Sequence, residues 1–196
     1  MNNKTTFGID YGSKMAGTTV VAYLEKNQLK LMVSEKKKDA DQMILKAVAA
    51  LKPDLIAIDA PLSLPGVYTG LEGCHDHFYR QCDRETRAMS PMFLGGLTAR
   101  AIKLKSQVPD VQFIEAYPVK TGKDRGLEKY NFRTKTAKYS EILKAIIKLT
   151  GWDIDYADAS VTGHHIDAAL ALYTAHRFRA NEAQCLGDPF EGLIYY

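Results

Sequence analysis

The sequence predicts an α/β fold: a mixed sheet built from an antiparallel meander plus parallel strands, flanked by helices. Three observations carry that prediction. Residues 5–33 hold three β-rich runs separated by short turns, the pattern of a meander. An amphipathic helical stretch then leads into Leu55-Ile56-Ala57-Ile58-Asp59-Ala60-Pro61, a short and almost wholly apolar run of the kind that fills the middle of a parallel sheet. Acidic residues recur at the carboxyl ends of the strand candidates: Asp10, Asp59 and Glu115.

The first run is Thr5, Thr6, Phe7 and Ile9. It ends in Asp10, with Gly12 and Gly17 beyond. A carboxylate that ends a buried strand is costly unless something pairs with it. A metal ion is a natural partner; the plainer alternative is an Asp-x-Gly turn. Thr18 to Leu24 reads as a second strand, and Leu29 to Val33 alternates as a half-exposed third. Asp39 is placed as the N-cap of a helix over Ala40 to Leu51, whose Ile44, Val48 and Leu51 share one face and which Pro53 closes. Strand, helix, strand then makes Leu55 to Pro61 a parallel neighbour of the first strand. Asp10 and Asp59 would emerge at the same carboxyl edge, where open α/β sheets place their sites.

Residues 62–109 are rich in Pro and Gly and read as an insertion over the site, with helical stretches at Cys74 to Arg87 and Leu97 to Lys105. Val111 to Tyr117 is the next strand, holding Glu115 and stopped by Pro118. Lys120 to Lys138 is strongly basic, with Lys120, Lys123, Arg125, Lys129, Arg133, Lys135 and Lys138 interleaved with aromatic residues. A helix from Tyr139 ends at Gly151, and a last long helix spans about His164 to Arg179 with Asp167 in its first turn. Ala168, Ala169 and Ala171 keep that helix slim enough to lie close against the sheet. The chain ends in a turn and a short apolar tail from Gly187 to Tyr196.

Composition bounds the function. The chain has 196 residues, 46% apolar and 25% charged, with a net charge of +3. That size suits one domain over residues 1–196. The small charge bias does not by itself call for nucleic acid. Three cysteines, Cys74, Cys82 and Cys185, argue against a disulfide framework. Met1 to Thr6 lacks the apolar core of a signal peptide, and no apolar run approaches membrane-spanning length. The expectation is a cytoplasmic protein with no membrane partner; its oligomeric state is open, a homodimer included.

Asp10, Asp59 and Glu115 end strands, and Asp167 begins a helix. If all four meet on one edge they repel, and a cation relieves that repulsion. All-oxygen donors suit Mg²⁺ or Mn²⁺. Two such ions about 4 Å apart can hold the attacking water and the leaving oxygen of a phosphoryl displacement. The bland alternative makes each acid a turn or helix cap.

A family resemblance adds to this. Gly8-Ile9-Asp10-Tyr11-Gly12-Ser13-Lys14-x-x-Gly17 is similar to the first-strand motif of the RNase H-like superfamily. The chain also resembles a domain-of-unknown-function family, number 429, of predicted RNase H-like nucleases. The matching pieces are Ala57 to Leu62, Arg80 to Arg87, Glu115-Ala116-Tyr117-Pro118, Asp167 to Ala171 and Gly187-Asp188-Pro189-x-Glu191-Gly192-x-Ile194. The resemblance implies a mixed five-stranded sheet with flanking helices, and Asp10, Asp59 and Asp167 as metal-binding acids. Glu115 is added on position alone. RNase H proper carries an acid on its first helix facing the site; here that helix offers only Asp41, near its start, so Glu115 or Asp188 would have to substitute.

The expected function is a metal-dependent nuclease or related phosphodiester hydrolase. Its substrate contacts are expected from Arg84 and Arg87 in a lid, and from Lys120, Lys123 and Lys135, since basic, aromatic-laced stretches track phosphates and stack bases. Two alternatives stand beside it. One is a non-catalytic module that binds nucleic acid or a nucleotide. The other is an actin-like phosphotransferase relative, which needs a chain about twice as long. His164 and His165 offer either a helix start or a proton shuttle. Cys74, His75, Asp76, His77 and Cys82 are zinc-capable but lack the paired spacing of structural zinc sites.

Overall fold

Strand β1 (Thr6–Asp10) is the hub of the sheet. It pairs antiparallel with β2 (Val20–Glu25) on one side and parallel with β4 (Leu55–Asp59) on the other. The structure, a computed structural model, describes residues 5–154 and 161–196; residues 1–4, part of the stretch read for a signal peptide, lie outside it. The meander closes with β3 (Gln28–Val33), and β5 (Gln112–Ala116) runs parallel to β4. These five strands are the expected set, and three more extend the sheet. A two-residue strand β6 (Asp153–Ile154) pairs parallel with β3 at one edge. At the other edge, β7 (Cys185–Asp188) and β8 (Gly192–Tyr195) form a hairpin whose second strand pairs parallel with β5. The order is β6-β3-β2-β1-β4-β5-β8-β7. The expected turn joins β7 to β8, where Asp188 accepts bonds from the Phe190 and Glu191 amides, and the apolar tail after it is the strand β8.

Helices cover both faces. On one lie α1 (Ala40–Leu51) and α4 (Gly96–Gln107), with Ile44, Val48, Ala101 and Leu104 buried against Phe7, Ile9, Ile56 and Ile58. Asp39 caps α1, as expected, accepting from the Asp41 and Gln42 amides. On the other face lie α6 (Tyr139–Thr150) and α7 (Gly163–Arg179), with Ile142, Ile146, Ile166 and Leu170 packed over Val20, Ala22 and Leu29. Between β4 and α4 the chain makes two short helices, α2 (Gln81–Thr86) and α3 (Pro91–Leu94). The helix expected over Cys74 to Arg87 is thus confined to its second half, because the Asp76 carboxylate turns the chain by accepting from the Phe78 and Tyr79 amides. A further helix, α5 (Pro118–Asp124), follows β5 directly. No helix among the described residues is long and apolar enough to cross a membrane.

Helix α7 lies directly on the backbone of β1. A Cβ added at Gly8 would lie 2.0 Å from the Leu172 backbone nitrogen and 2.4 Å from the Ala168 carbonyl oxygen. The helix therefore rests on bare strand backbone, and its alanines let it come that close. Backbone cannot yield as a flexible side chain would. Gly8→Ala is expected to destabilise the protein by about 3 kcal/mol or more, at the upper end of overpacking costs; denaturant unfolding of the two proteins checks this.

Candidate metal centre

The carboxyl ends of β1 and β4 lie side by side. Asp10 and Asp59 are directly paired in the parallel ladder, so their side chains share a face. It is the face that α7 covers. Asp167 is the fifth residue of α7, just past the first turn in which it was expected, because the helix starts at Gly163, one residue earlier than His164. Seating α7 on Gly8 brings Asp167 to the same spot. One oxygen from each of Asp10, Asp59 and Asp167 lies within 4.8 Å of the others. Among the described residues this is the only group of three or more His, Cys, Asp or Glu side chains able to share an ion, so the Cys74-to-Cys82 segment forms no zinc cluster.

Glu115 does not join the three. In the ladder it pairs with Ile58, not Asp59. Side chains alternate along a strand, so this one-residue offset turns Glu115 to the opposite face. There both its oxygens accept from Arg80, Nη1 to Oε2 at 2.8 Å and Nη2 to Oε1 at 2.7 Å, and Oε2 also accepts from the Leu62 amide. Arg80 is wholly buried and also bonds both Asp83 oxygens and Ser63 Oγ. Burial pushes the Glu115 carboxyl above its usual range, against the pull of Arg80. Asp41 is likewise committed elsewhere. It accepts from Tyr11 Oη at 2.6 Å and from Arg100 Nε and Nη2. Asp188 serves its own hairpin turn.

The three clustered acids have fewer partners. Asp10 Oδ2 lies 2.8 Å from His164 Nδ1, and Asp167 Oδ1 accepts from Arg133 Nη2 at 2.6 Å. Asp59 has no hydrogen-bond donor among the described residues. Burial, then repulsion from Asp167 and Asp10, raises the Asp59 carboxyl well above the usual carboxylate range. Burial pushes Asp167 up to about 7, with Arg133 opposing and Asp10 reinforcing the rise. The bond to Asp10 raises His164 above an ordinary imidazole, whereas burial lowers His165. Of the two histidines, His165 takes the helix-start role. His165 Nδ1 accepts from the Thr162 amide at 3.1 Å and caps α7, leaving His164, half-exposed, beside the acids.

A cavity of about 250 Å³ opens beside the cluster, lined by Asp10, Asp59, Pro61, Met89, Glu115 and Tyr117 among others. None of the expected substrate contacts lines it; Arg84 lines a separate cavity with Cys74, His75 and Glu191. Arg84 pairs with Asp76 and lies over the Tyr79 ring, 5.2 Å from its centroid. Lys120 sits 4.0 Å over the Tyr196 ring and pairs with Asp124. Arg87, Lys123 and Lys135 are exposed. Two site-edge residues went unassigned from the sequence, Arg80 and Arg133. Arg80 lay in a recognised motif and Arg133 in the basic stretch, but only the fold shows which acid each one meets.

The donor set fits a hard divalent cation. It comprises three carboxylates on two strands and a helix, gathered from points far apart in the chain, with a third oxygen site left unbonded at Asp59. The profile of a family described as "Protein of unknown function (DUF429)" matches residues 8–99, which hold Asp10 and Asp59. This is the family read from the motifs. No curated protein matches the chain. Two solved structures of Thermus thermophilus RuvC are similar in outline. One, in complex with Holliday junction substrate, is 14% identical, with a TM-score of 0.48 over 94% of this chain and 99% of that one. The other is 16% identical, with a TM-score of 0.45 over 93% and 98%.

Between the usual carboxylate range and about 7, folded Asp167 keeps a proton that the unfolded chain has released. Its contribution therefore makes the metal-free protein less stable as pH rises through that window. Asp59→Asn, which removes one of the three like charges without breaking a hydrogen bond, is expected to raise the melting temperature of the metal-free protein at pH 8 by about 2–4 °C for each kcal/mol of repulsion relieved. Thermal unfolding at pH 5 and pH 8 checks this, with the larger gain expected at pH 8. Arg80→Ala is expected to cost about 3–5 kcal/mol, because it strands Glu115 and Asp83 as buried, uncompensated charges; denaturant titration measures the loss.

Proposed function

We propose that the chain is a metal-dependent nuclease, hydrolysing phosphodiester bonds with Mg²⁺ or Mn²⁺ held by Asp10, Asp59 and Asp167. The observation that carries this is the convergence of three carboxylates, from β1, β4 and α7, to within 4.8 Å. Caps and turns do not require it: none of the three acids caps a helix, and partly buried Asp59 has no hydrogen-bond partner among the described residues. When bound, two such ions supply Lewis-acid stabilisation of the phosphoryl oxygens and a water acidified for attack.

The protein's own groups do the rest. Asp10 and Asp59 are fixed by the ladder and Asp167 by a buried helix, so the ligand oxygens are held without reorganisation. His164 stands beside Asp10 with its side chain half-exposed, placed to pass a proton between the site and solvent. Exposed Arg87, Lys123 and Lys135 are the contacts for flanking phosphates; Arg84 and Lys120 are secondary, since each is paired with an acid outside the cluster, Asp76 and Asp124. In this reading the chain is one domain. Residues 62–109 are an insertion beside the site, supported by Met89, Leu94 and Leu97 in the cavity wall. Glu115 supports that wall through Arg80 and is not a ligand.

Labelled DNA and RNA, single-stranded, duplex and branched, incubated with Mn²⁺ test the proposal. Wild type is expected to cleave at least one substrate, with Asp10→Asn and Asp59→Asn at least about 100-fold slower. If no substrate shows cleavage that depends on Asp10, the chain is a binding module and the proposal fails.

A further inference from the structure

Two kinds of arginine border the acids. Arg80 and Arg100 are fully committed. Arg80 spends Nε, Nη1 and Nη2 on Asp83, Ser63 and Glu115. Arg100 gives Nε and Nη2 to Asp41 and Nη1 to the Gly12 carbonyl. Both tie one element to another. Arg133 does not. Its one hydrogen bond among the described residues runs from Nη2 to Asp167, and its side chain is 38% exposed, against 0% for Arg80. Its guanidinium also lies over the Phe132 ring, 5.1 Å from the centroid, which leaves Nε and Nη1 without a hydrogen bond among the described residues.

Its backbone is also unusual. Arg133 has φ +67°, a left-handed conformation uncommon for a long side chain, while Asn131, φ +58°, takes the left-handed cap position that asparagine adopts readily. Between them Phe132 is buried, its ring against Gly122, and anchors the turn. Arg133 is thus presented beside Asp167 by a strained but fastened turn. Such strain is retained where the surrounding structure imposes it, and it clusters at working sites.

A divalent ion at the acid cluster would compete with this guanidinium. It would take up the Asp167 charge that Arg133 now balances, and it would repel a second cation nearby. A phosphodiester drawn to the ion brings non-bridging oxygens that match the guanidinium fork, which Asp167 uses only once.

Building on the metal reading of the site, we propose that Arg133 is a hand-over residue: it holds Asp167 while the site is free of metal, and transfers to a substrate phosphate once the ion is bound. Arg133 thereby couples metal occupancy to nucleic-acid binding. Phosphate contacts from residues such as Lys135 would add affinity with or without the ion; that of Arg133 would appear only with it.

Wild type, Arg133→Ala and Arg133→Lys separate the outcomes. Calorimetric titration with Mn²⁺ and with Ca²⁺ reads metal affinity, and fluorescence anisotropy reads binding of a short DNA and a matched RNA oligonucleotide, without metal and with Ca²⁺. Arg133→Ala is expected to bind metal several-fold more tightly than wild type. With metal it should bind the preferred oligonucleotide about tenfold more weakly, the effect of one lost charged hydrogen bond. Without metal it should bind as wild type does. Arg133→Lys is expected to keep the wild-type metal affinity and recover only part of the oligonucleotide binding. A loss of oligonucleotide binding that is equal with and without metal, or absent in both, overturns the hand-over while leaving the metal site intact. Failure of wild type to bind either ion overturns the metal reading and the hand-over together. Melting curves of the variants confirm that each is folded.

Discussion

The direct seating of α7 on β1 is the constraint from which the site follows. Helices normally stand off a sheet by the depth of interleaved side chains. Here Gly8 removes that depth on the strand, and Ala168 with Ala171 removes it on the helix. The helix start is then held low over the carboxyl ends of β1 and β4. An acid one turn into α7 arrives beside two acids that end neighbouring strands. Side-chain depth at Gly8 would lift Asp167 away from the others, so a packing detail at the middle of a strand sets the geometry of a charge cluster at its end.

The sheet edge treats its acids in two opposite ways. Glu115 and Asp83 face Arg80, a wholly buried guanidinium with every arm used. Pairs of this kind are permanent, since breaking one leaves a charge in low dielectric. Asp10 and Asp167 are instead balanced by His164 and Arg133, both of which reach solvent, and Asp59 is balanced by neither through a hydrogen bond. The first arrangement builds structure. The second leaves negative charge available to something that arrives later.

The recognised pieces around Arg80 and Glu191 work as a clasp. The Glu191 carboxylate accepts the Gly66 and Gln81 amides at 2.8 and 2.6 Å, and Glu85 accepts the Gly187 amide. Residues 63–85 are therefore fastened both to β5, through Arg80 and Glu115, and to the C-terminal hairpin. Gly192, with φ +149°, leaves room there: a Cβ would lie 2.5 Å from Ser63 Oγ and 3.2 Å from Arg80 Nη1. Asp83 and Glu85, which read along the chain as part of a charged helical face, belong to this internal fastening, while Arg84 and Arg87 remain exposed outside it.

The meander, the α1 cap at Asp39, the apolar β4, the long α7 and the acids that end β1 and β4 were all legible along the chain. Each depends on periodicity or turn chemistry within a dozen residues, and the sequence by itself determined them. The slimness of α7 was legible too, in its alanines. The face taken by Glu115 was not. It depends on whether Glu115 lies opposite Ile58 or Asp59, and no local pattern states the register between two strands. The partners of Arg80 and Arg133 were hidden for the same reason, since a charge's meaning lies in which distant charge it meets. The C-terminal strands also waited on tertiary structure, because four-residue segments become strands only when an edge such as β5 is there to pair with.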